Sequence, residues 1–242
     1  MTLNTTKDAP PATMDQYYAD IIHRMIVGIV KKQGNFKTIL DVGCGNGLLG
    51  ELLIKQNNRV FGVDIHEEKV KRCCEKGIIA TRIANKCHLP DSTDSFELVT
   101  CCEVLEHLTE PDKMAREIKR VLRSNGLFIA TVPNMYDIKT RLAFLIGKWS
   151  KITYGANLGH IRFFSKKTFR KLVEDEGFVI EKCISTGFAS YLPRLFGGLC
   201  YIFALGNRLK KQKMFQDFNI LLGKVFGWTS LGGGLFIVAR KK

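Results

Sequence analysis

Five consecutive residues, Glu103-Val104-Leu105-Glu106-His107, place two carboxylates and an imidazole in a stretch that is otherwise apolar. The E-x-x-E-H spacing predicts a helical face. Positions i, i+3 and i+4 fall within about 100° of arc, so the three polar side chains would share one side. Three kinds of chemistry suit such a face. The acids would favour a helix N-terminus through its dipole while the histidine packs. Alternatively, His107 or a glutamate would act as a general base toward a nucleophile. In the third reading, two carboxylates and an imidazole bind a divalent cation. Magnesium is the default for so much oxygen, and the histidine also admits manganese, iron or zinc.

A second group lies upstream, in Asp41-Val42-Gly43-Cys44-Gly45-Asn46-Gly47. Its glycines allow a sharp turn and close approach of a ligand to the backbone. Gly45 to Gly50 also fits the dinucleotide pattern G-x-G-x-x-G, with Asp64 where a ribose-binding acid belongs. Asp41, however, would repel a pyrophosphate and welcome a cationic amino group. Asp64 is placed to grip a ribose diol. A ligand with a ribose, an adenine and an amino acid but no phosphate satisfies both acids, which points to S-adenosylmethionine rather than a nicotinamide cofactor.

These groups must be held by regular elements, and the pattern supplies them. A helix is expected from about Met14 to Lys32, with one apolar face. Strands and helices then alternate: KTILDVG, GLLGELLIKQ, RVFGVDI, EEKVKRCCEKG, IIATRI, FELVTCC, PDKMAREIKRVLRSNG and LFIATVPN. SKKTFRKLVEDEGF reads as a further helix capped by Ser165, and FVIEKCIS and LFIVARK as late strands. Such alternation implies a doubly wound, mostly parallel α/β sheet with its ligands beyond the carboxyl ends of the strands. Residues 1–12 are expected to be disordered and 13–242 to form a single domain. Insertions at about 135–160 and 187–231 would cap the site.

ILDVGCGNGLL, VFGVDI, CHLPDSTDSFELVTCCEVLEHL and GLFIATVPN resemble, in order and spacing, the motifs of class I S-adenosylmethionine-dependent methyltransferases. The resemblance implies the family's seven-stranded Rossmann-like sheet. It places Asp41, Gly43, Cys44, Gly45 and Gly47 around the methionine moiety. Asp64 would bind the ribose, Ile65 would lie beside the adenine, and Asn85 would reach the adenine amino group. Cys101 and Cys102 would lie next to the cofactor. EVLEH, followed some fifty residues later by GHIRFFSKKTF, is similar to two branches: one O-methylates a catechol in ubiquinone synthesis, the other the terminal ribose of small RNAs. Both imply a metal site at Glu103, Glu106, His107 and His160, and an acceptor with adjacent oxygens.

The rest of the chain bears on the acceptor. Of 242 residues, 45% are hydrophobic, and the net charge is +14. Residues 1–138 hold 18 Lys and Arg against 18 Asp and Glu, and residues 139–242 hold 19 against 5, so the second half carries the whole excess. An anionic partner near that half is expected. Trp149, Tyr154, Tyr191, Tyr201 and Trp228 lie among these bases. The aliphatic content favours a small-molecule, lipid-linked or glycan acceptor, with peripheral contact to an anionic membrane, over RNA. A small-RNA 2′-O-methyltransferase and a non-catalytic binding module are the alternatives. Eight cysteines without metal-ligand spacing, and no basic-then-apolar leader, suggest reduced thiols and a cytoplasmic location.

Overall fold

The computed structural model describes residues 14–34, 36–84, 87–147, 159–186 and 232–242. Helix α1 (Met14–Gln33) precedes the alternating elements β1 (Thr38–Val42), α2 (Leu48–Ile54), β2 (Arg59–Asp64), α3 (Glu67–Glu75) and β3 (Ile79–Arg82). Strand β4 (Phe96–Cys102), α4 (Pro111–Val121) and β5 (Leu122–Pro133) follow, then α5 (Ile138–Leu145), α6 (Lys166–Asp175), β6 (Phe178–Thr186) and β7 (Gly234–Lys241). The seven strands form one sheet in the order β3-β2-β1-β4-β5-β7-β6. Only β7 runs against its neighbours, pairing antiparallel with both β5 and β6.

The sheet is covered on both faces, as near-continuous apolar strands require. In β1, Leu40 and Val42 enter one core while Ile39 enters the other. In β5, Phe128, Ala130 and Val132 alternate in the same way with Leu127 and Ile129. Helix α1 closes the second core with Ile22, Ile26 and Val30, spaced i, i+4, i+8. Strand β1 pairs with β2 on one side and β4 on the other, so strand order reverses there. The ligand crevice of such a sheet opens beyond the carboxyl ends of those two strands. Asp41 and Glu103 stand at those ends.

Two expectations are corrected. Helix α4 starts at Pro111 as read, but ends at Val121 rather than at Gly126. Leu122 is fully buried and already pairs with Phe96 of β4; the register then shifts before Leu98 meets Leu127. Burial of Leu122 in the sheet thus overrides continuation of the helix, and Asn125 turns the intervening bulge at φ 61°. The second correction concerns E-x-x-E-H, which is not a helical face. Only Leu105–His107 form a single 3-10 turn, and Glu103 lies outside it. Ser165 caps α6 as expected, in a reciprocal box with Thr168. Of the two expected caps, residues 148–158 and 187–231 lie outside the described residues; within 135–147 the chain forms α5.

Candidate active site

The loop after β1 is built by backbone hydrogen bonds to β2. Gly43 and Cys44 donate N–H to the Val63 carbonyl at 2.8 and 3.1 Å, and Gly45 donates to the Asp64 carboxylate at 3.1 Å. The other Asp64 oxygen accepts from the His66 N–H at 2.9 Å. Gly43, Gly45 and Gly47 have φ of 74°, 54° and 72°, a region costly to a side chain. At Gly47 a Cβ would also lie 2.7 Å from Ile78 Cδ1 and 3.0 Å from Cys73 Sγ. We therefore expect Gly47→Ala to destabilise the protein by roughly 2–4 kcal/mol in denaturant unfolding, from left-handed strain and overpacking together.

Asp41 lies just behind this loop, 4% exposed, and accepts from the Thr100 hydroxyl at 2.7 Å. Burial pushes its carboxyl up to about 7, the nearby Asp64 charge adds to this, and the Thr100 hydrogen bond opposes it. A cationic ligand group is the natural partner for an acid held in this state.

A cavity of about 500 Å³ opens over the loop. Gly43, Gly45, Asp64 and Ile65 line one end; Glu103, His107 and Gly159 line the other. The two groups of candidate residues, distant in sequence, thus share one space. Asp41, Cys44, Gly47, Cys101 and Cys102 do not line it, nor do Glu106 and His160. Cys44 and Cys101 are buried packing residues, and the Cys44 and Cys73 sulfurs lie 3.5 Å apart. Burial pushes these thiols up, away from the reactive thiolate. Asn85 lies outside the described residues.

The unusual chemistry adjoins the second end of the cavity, with His107 common to both. Glu106 is fully buried, and neither of its carboxylate oxygens has a hydrogen-bond partner. His107 Nε2 lies 3.8 Å and His160 Nε2 3.9 Å from Glu106 Oε1. The imidazoles meet edge to face, with centroids 4.8 Å apart. One ligand atom from each of Glu106, His107 and His160 falls within 4.8 Å of the others. The backbone delivers His160 to this place: Ile161 and Arg162 donate N–H to the Glu106 carbonyl at 2.9 and 3.0 Å. The Arg162 guanidinium also binds the Thr109 carbonyl.

The donor set fits a divalent cation. A buried carboxylate without partners is costly unless a counter-charge satisfies it. His107 Nδ1 lies 3.1 Å from the Gly159 carbonyl. An oxygen acceptor there fixes the proton on Nδ1 and leaves Nε2 with its lone pair toward the cluster, the usual support of a metal-bound histidine. Without a cation, burial first and the Glu103 charge second push the Glu106 carboxyl well above the usual range. Glu103 reaches the same cavity by another route. Its backbone adopts φ 55°, and one carboxylate oxygen accepts from the Thr131 hydroxyl at 2.8 Å.

Several lining residues are not anticipated from sequence: Ile83, Val104, Leu108, Met114 and Lys69 give no chemical signal there, and His66 reads as an ordinary surface or packing residue. Thr100 and Thr131 carried a weak signal, as hydroxyls at fully buried strand positions.

A sheet of this order, with a glycine loop and paired acids at its reversal point, defines a class I S-adenosylmethionine-dependent methyltransferase architecture. A methyltransferase-domain profile matches residues 12–182, and the chain belongs to that family. Among curated relatives, the ubiquinone biosynthesis O-methyltransferase of Vibrio parahaemolyticus is 29% identical over 154 residues, covering 60% of this chain and 65% of that protein. The chain therefore spans just under two thirds of that relative's length. Solved structures share the fold at low identity. A Thermotoga maritima methyltransferase described as a possible histamine N-methyltransferase has TM-score 0.59 and 15% identity, covering 94% of each chain. The Haemonchus contortus phosphoethanolamine N-methyltransferase 2, solved with S-adenosyl-L-methionine, has TM-score 0.56 and 15% identity, covering 90% of this chain and 52% of that one.

Proposed function

We propose that this protein is an O-methyltransferase that uses S-adenosylmethionine and acts, with a divalent cation, on a hydroxylated acceptor carrying two adjacent oxygens. One observation carries the reading: a fully buried Glu106 carboxylate without a hydrogen-bond partner faces two imidazoles, and one of these, His107, lines the same cavity as the glycine loop. The likeness to ubiquinone O-methyltransferases supports oxygen over nitrogen as the methylated atom. When bound, the cofactor supplies an electrophilic methyl on a sulfonium, and the cation supplies Lewis acidity that lowers the acceptor hydroxyl's pKa.

The chain's own residues then divide the remaining work. Gly43 and Gly45 admit the cofactor against the backbone, Asp64 receives its ribose, and Ile65 packs beside its base. Asp41 places negative charge behind the methionine end. Glu106, His107 and His160 would hold the cation, with Glu103 nearby. With the glycine loop and His107 on one cavity, a cofactor and an acceptor bound there would meet at the distance an in-line displacement needs. Val104, Leu108 and Met114 keep the space between them apolar, which limits competing water.

The acceptor's remaining bulk belongs to residues 135–147. A second cavity of about 470 Å³ is lined by Met135, Tyr136, Arg141, Phe144 and Leu145, next to the carboxyl end of β5. Phe144, Leu145 and Ile146 stay 51%, 81% and 64% exposed. So apolar a surface suits a small-molecule or lipid-linked acceptor and peripheral contact with a membrane better than RNA. Among the described residues, no helix is long and apolar enough to cross a membrane.

Manganese titration followed by electron paramagnetic resonance, with S-adenosylhomocysteine present, tests the cation site. Stoichiometric binding by the wild type and a loss of at least tenfold in affinity in His107→Ala are expected. Wild-type protein that binds S-adenosylhomocysteine but no manganese would overturn the metal-assisted reading.

A further inference from the structure

Glu103 should not sit where it does. It follows β4 directly, outside the 3-10 turn that carries Glu106 and His107, and its φ of 55° lies in the left-handed region. A non-glycine residue there is strained and persists only when its surroundings hold it. A residue of the neighbouring strand takes part in the holding at two points. Thr131 of β5 accepts the Glu103 backbone N–H on its carbonyl at 3.0 Å and donates its hydroxyl to Glu103 Oε1 at 2.8 Å. Thr131 is itself fully buried, between Cys102 of β4 and Phe236 of β7 in the sheet register.

We propose that Thr131 is a positioning residue: from a second strand, its hydroxyl aims the Glu103 carboxylate into the cavity that Glu103 shares with His107 and the glycine loop. The inference rests on the metal-assisted reading for its function, but its geometry stands without it. On a regular helix, E-x-x-E-H would bring its glutamates together by spacing alone. Here the helix is absent, and Glu103 reaches Glu106 only because its backbone turns into the left-handed region. The hydroxyl fixes one carboxylate oxygen and thereby sets the direction of the whole group. Burial makes this an economical device, since the threonine hydroxyl has no water to compete for it.

Two substitutions separate aim from packing. Thr131→Val keeps the shape and removes the donor; Thr131→Ser keeps the donor and removes a methyl. Both would be measured in the full chain with S-adenosylhomocysteine bound. We expect Thr131→Val to weaken manganese binding about 10- to 100-fold, with the affinity for S-adenosylhomocysteine unchanged, and Thr131→Ser to retain most of the manganese affinity. Equal manganese affinity in Thr131→Val and wild type would overturn the proposal, as would equal loss in both variants, which would indicate packing. Crystal structures of wild type and Thr131→Val without added metal give an answer independent of the cation. A Glu103 carboxylate that leaves its place in the valine variant supports the inference, and an unmoved one overturns it. Wild-type protein that fails to bind manganese defeats the metal-assisted reading alone, and the crystallographic comparison then decides the role of Thr131.

Discussion

Glu106→Gln is expected to make the metal-free protein more stable at pH 8 while removing manganese binding and methyl transfer. The sign follows from burial. Glu106 is wholly enclosed, its oxygens lack partners, and Glu103 stands beside it, so the proton of this acid pair is held to about 9 instead of 4.5. An acid whose pKa is raised on folding contributes stability that is fully present below its unfolded value and is lost as pH rises through the folded one. The wild type should therefore lose melting temperature between about pH 5 and 9, and the neutral glutamine should not. A gain of about 1 kcal/mol at pH 8 would appear as about 2–4 °C in a chain of this size. Adding manganese should reverse the ranking: the wild type gains stability through binding, and the glutamine variant does not. A wild type indifferent to manganese, with a variant less stable at every pH, would make Glu106 an ordinary structural acid.

How much of this was legible beforehand differs from element to element. The strands were readable because both faces of a parallel sheet are apolar, and runs such as TILDV and FELVTCC admit few alternatives. The glycine loop was readable because three closely spaced glycines after a strand imply a backbone only glycine tolerates cheaply. The spacing E-x-x-E-H suggests one helical face for three side chains, whereas the structure clusters Glu106 and His107 with His160 and forms no α-helix there. A helical period was assumed, whereas Glu103 arrives through a left-handed turn held by Thr131, 28 positions away. Long-range hydrogen bonds of that kind leave no periodic trace. The same holds for His160, which is placed by N–H groups of Ile161 and Arg162 on the Glu106 carbonyl. The end of α4 was misread because Arg123-Ser124-Asn125-Gly126 suits a helix terminus, and only the pairing of Leu122 with Phe96 shows that the strand has already begun.

Asp41→Asn carries the second large effect, behind the glycine loop that lines the opposite end of the cavity. Asp41 is buried, paired with Thr100 across β1 and β4, and held to about 7 rather than 3.8, chiefly by burial. Below that value the protonated acid offers little to a cationic amino group. Above it the carboxylate is formed at a cost that the ligand's charge offsets. The affinity of the wild type for S-adenosylhomocysteine, measured by calorimetry, should therefore rise with pH by up to about tenfold per unit until neutrality and then level off. Asparagine keeps the shape and still accepts from Thr100, so the fold should survive. Its affinity should be about 10- to 100-fold lower at pH 8 and nearly flat with pH, the scale of a lost charge-assisted contact. The linkage also runs the other way. Stability that the wild type loses as pH climbs from about 4 through 7 is retained by the asparagine variant, whose ligand-free melting temperature should exceed the wild type's at pH 8. Weaker binding together with a higher melting temperature would mark Asp41 as a group kept for its ligand at the expense of the fold. Unchanged, pH-independent affinity would reduce it to a pin between two strands, and the recognition of the amino group would have to come from the glycine-loop backbone alone.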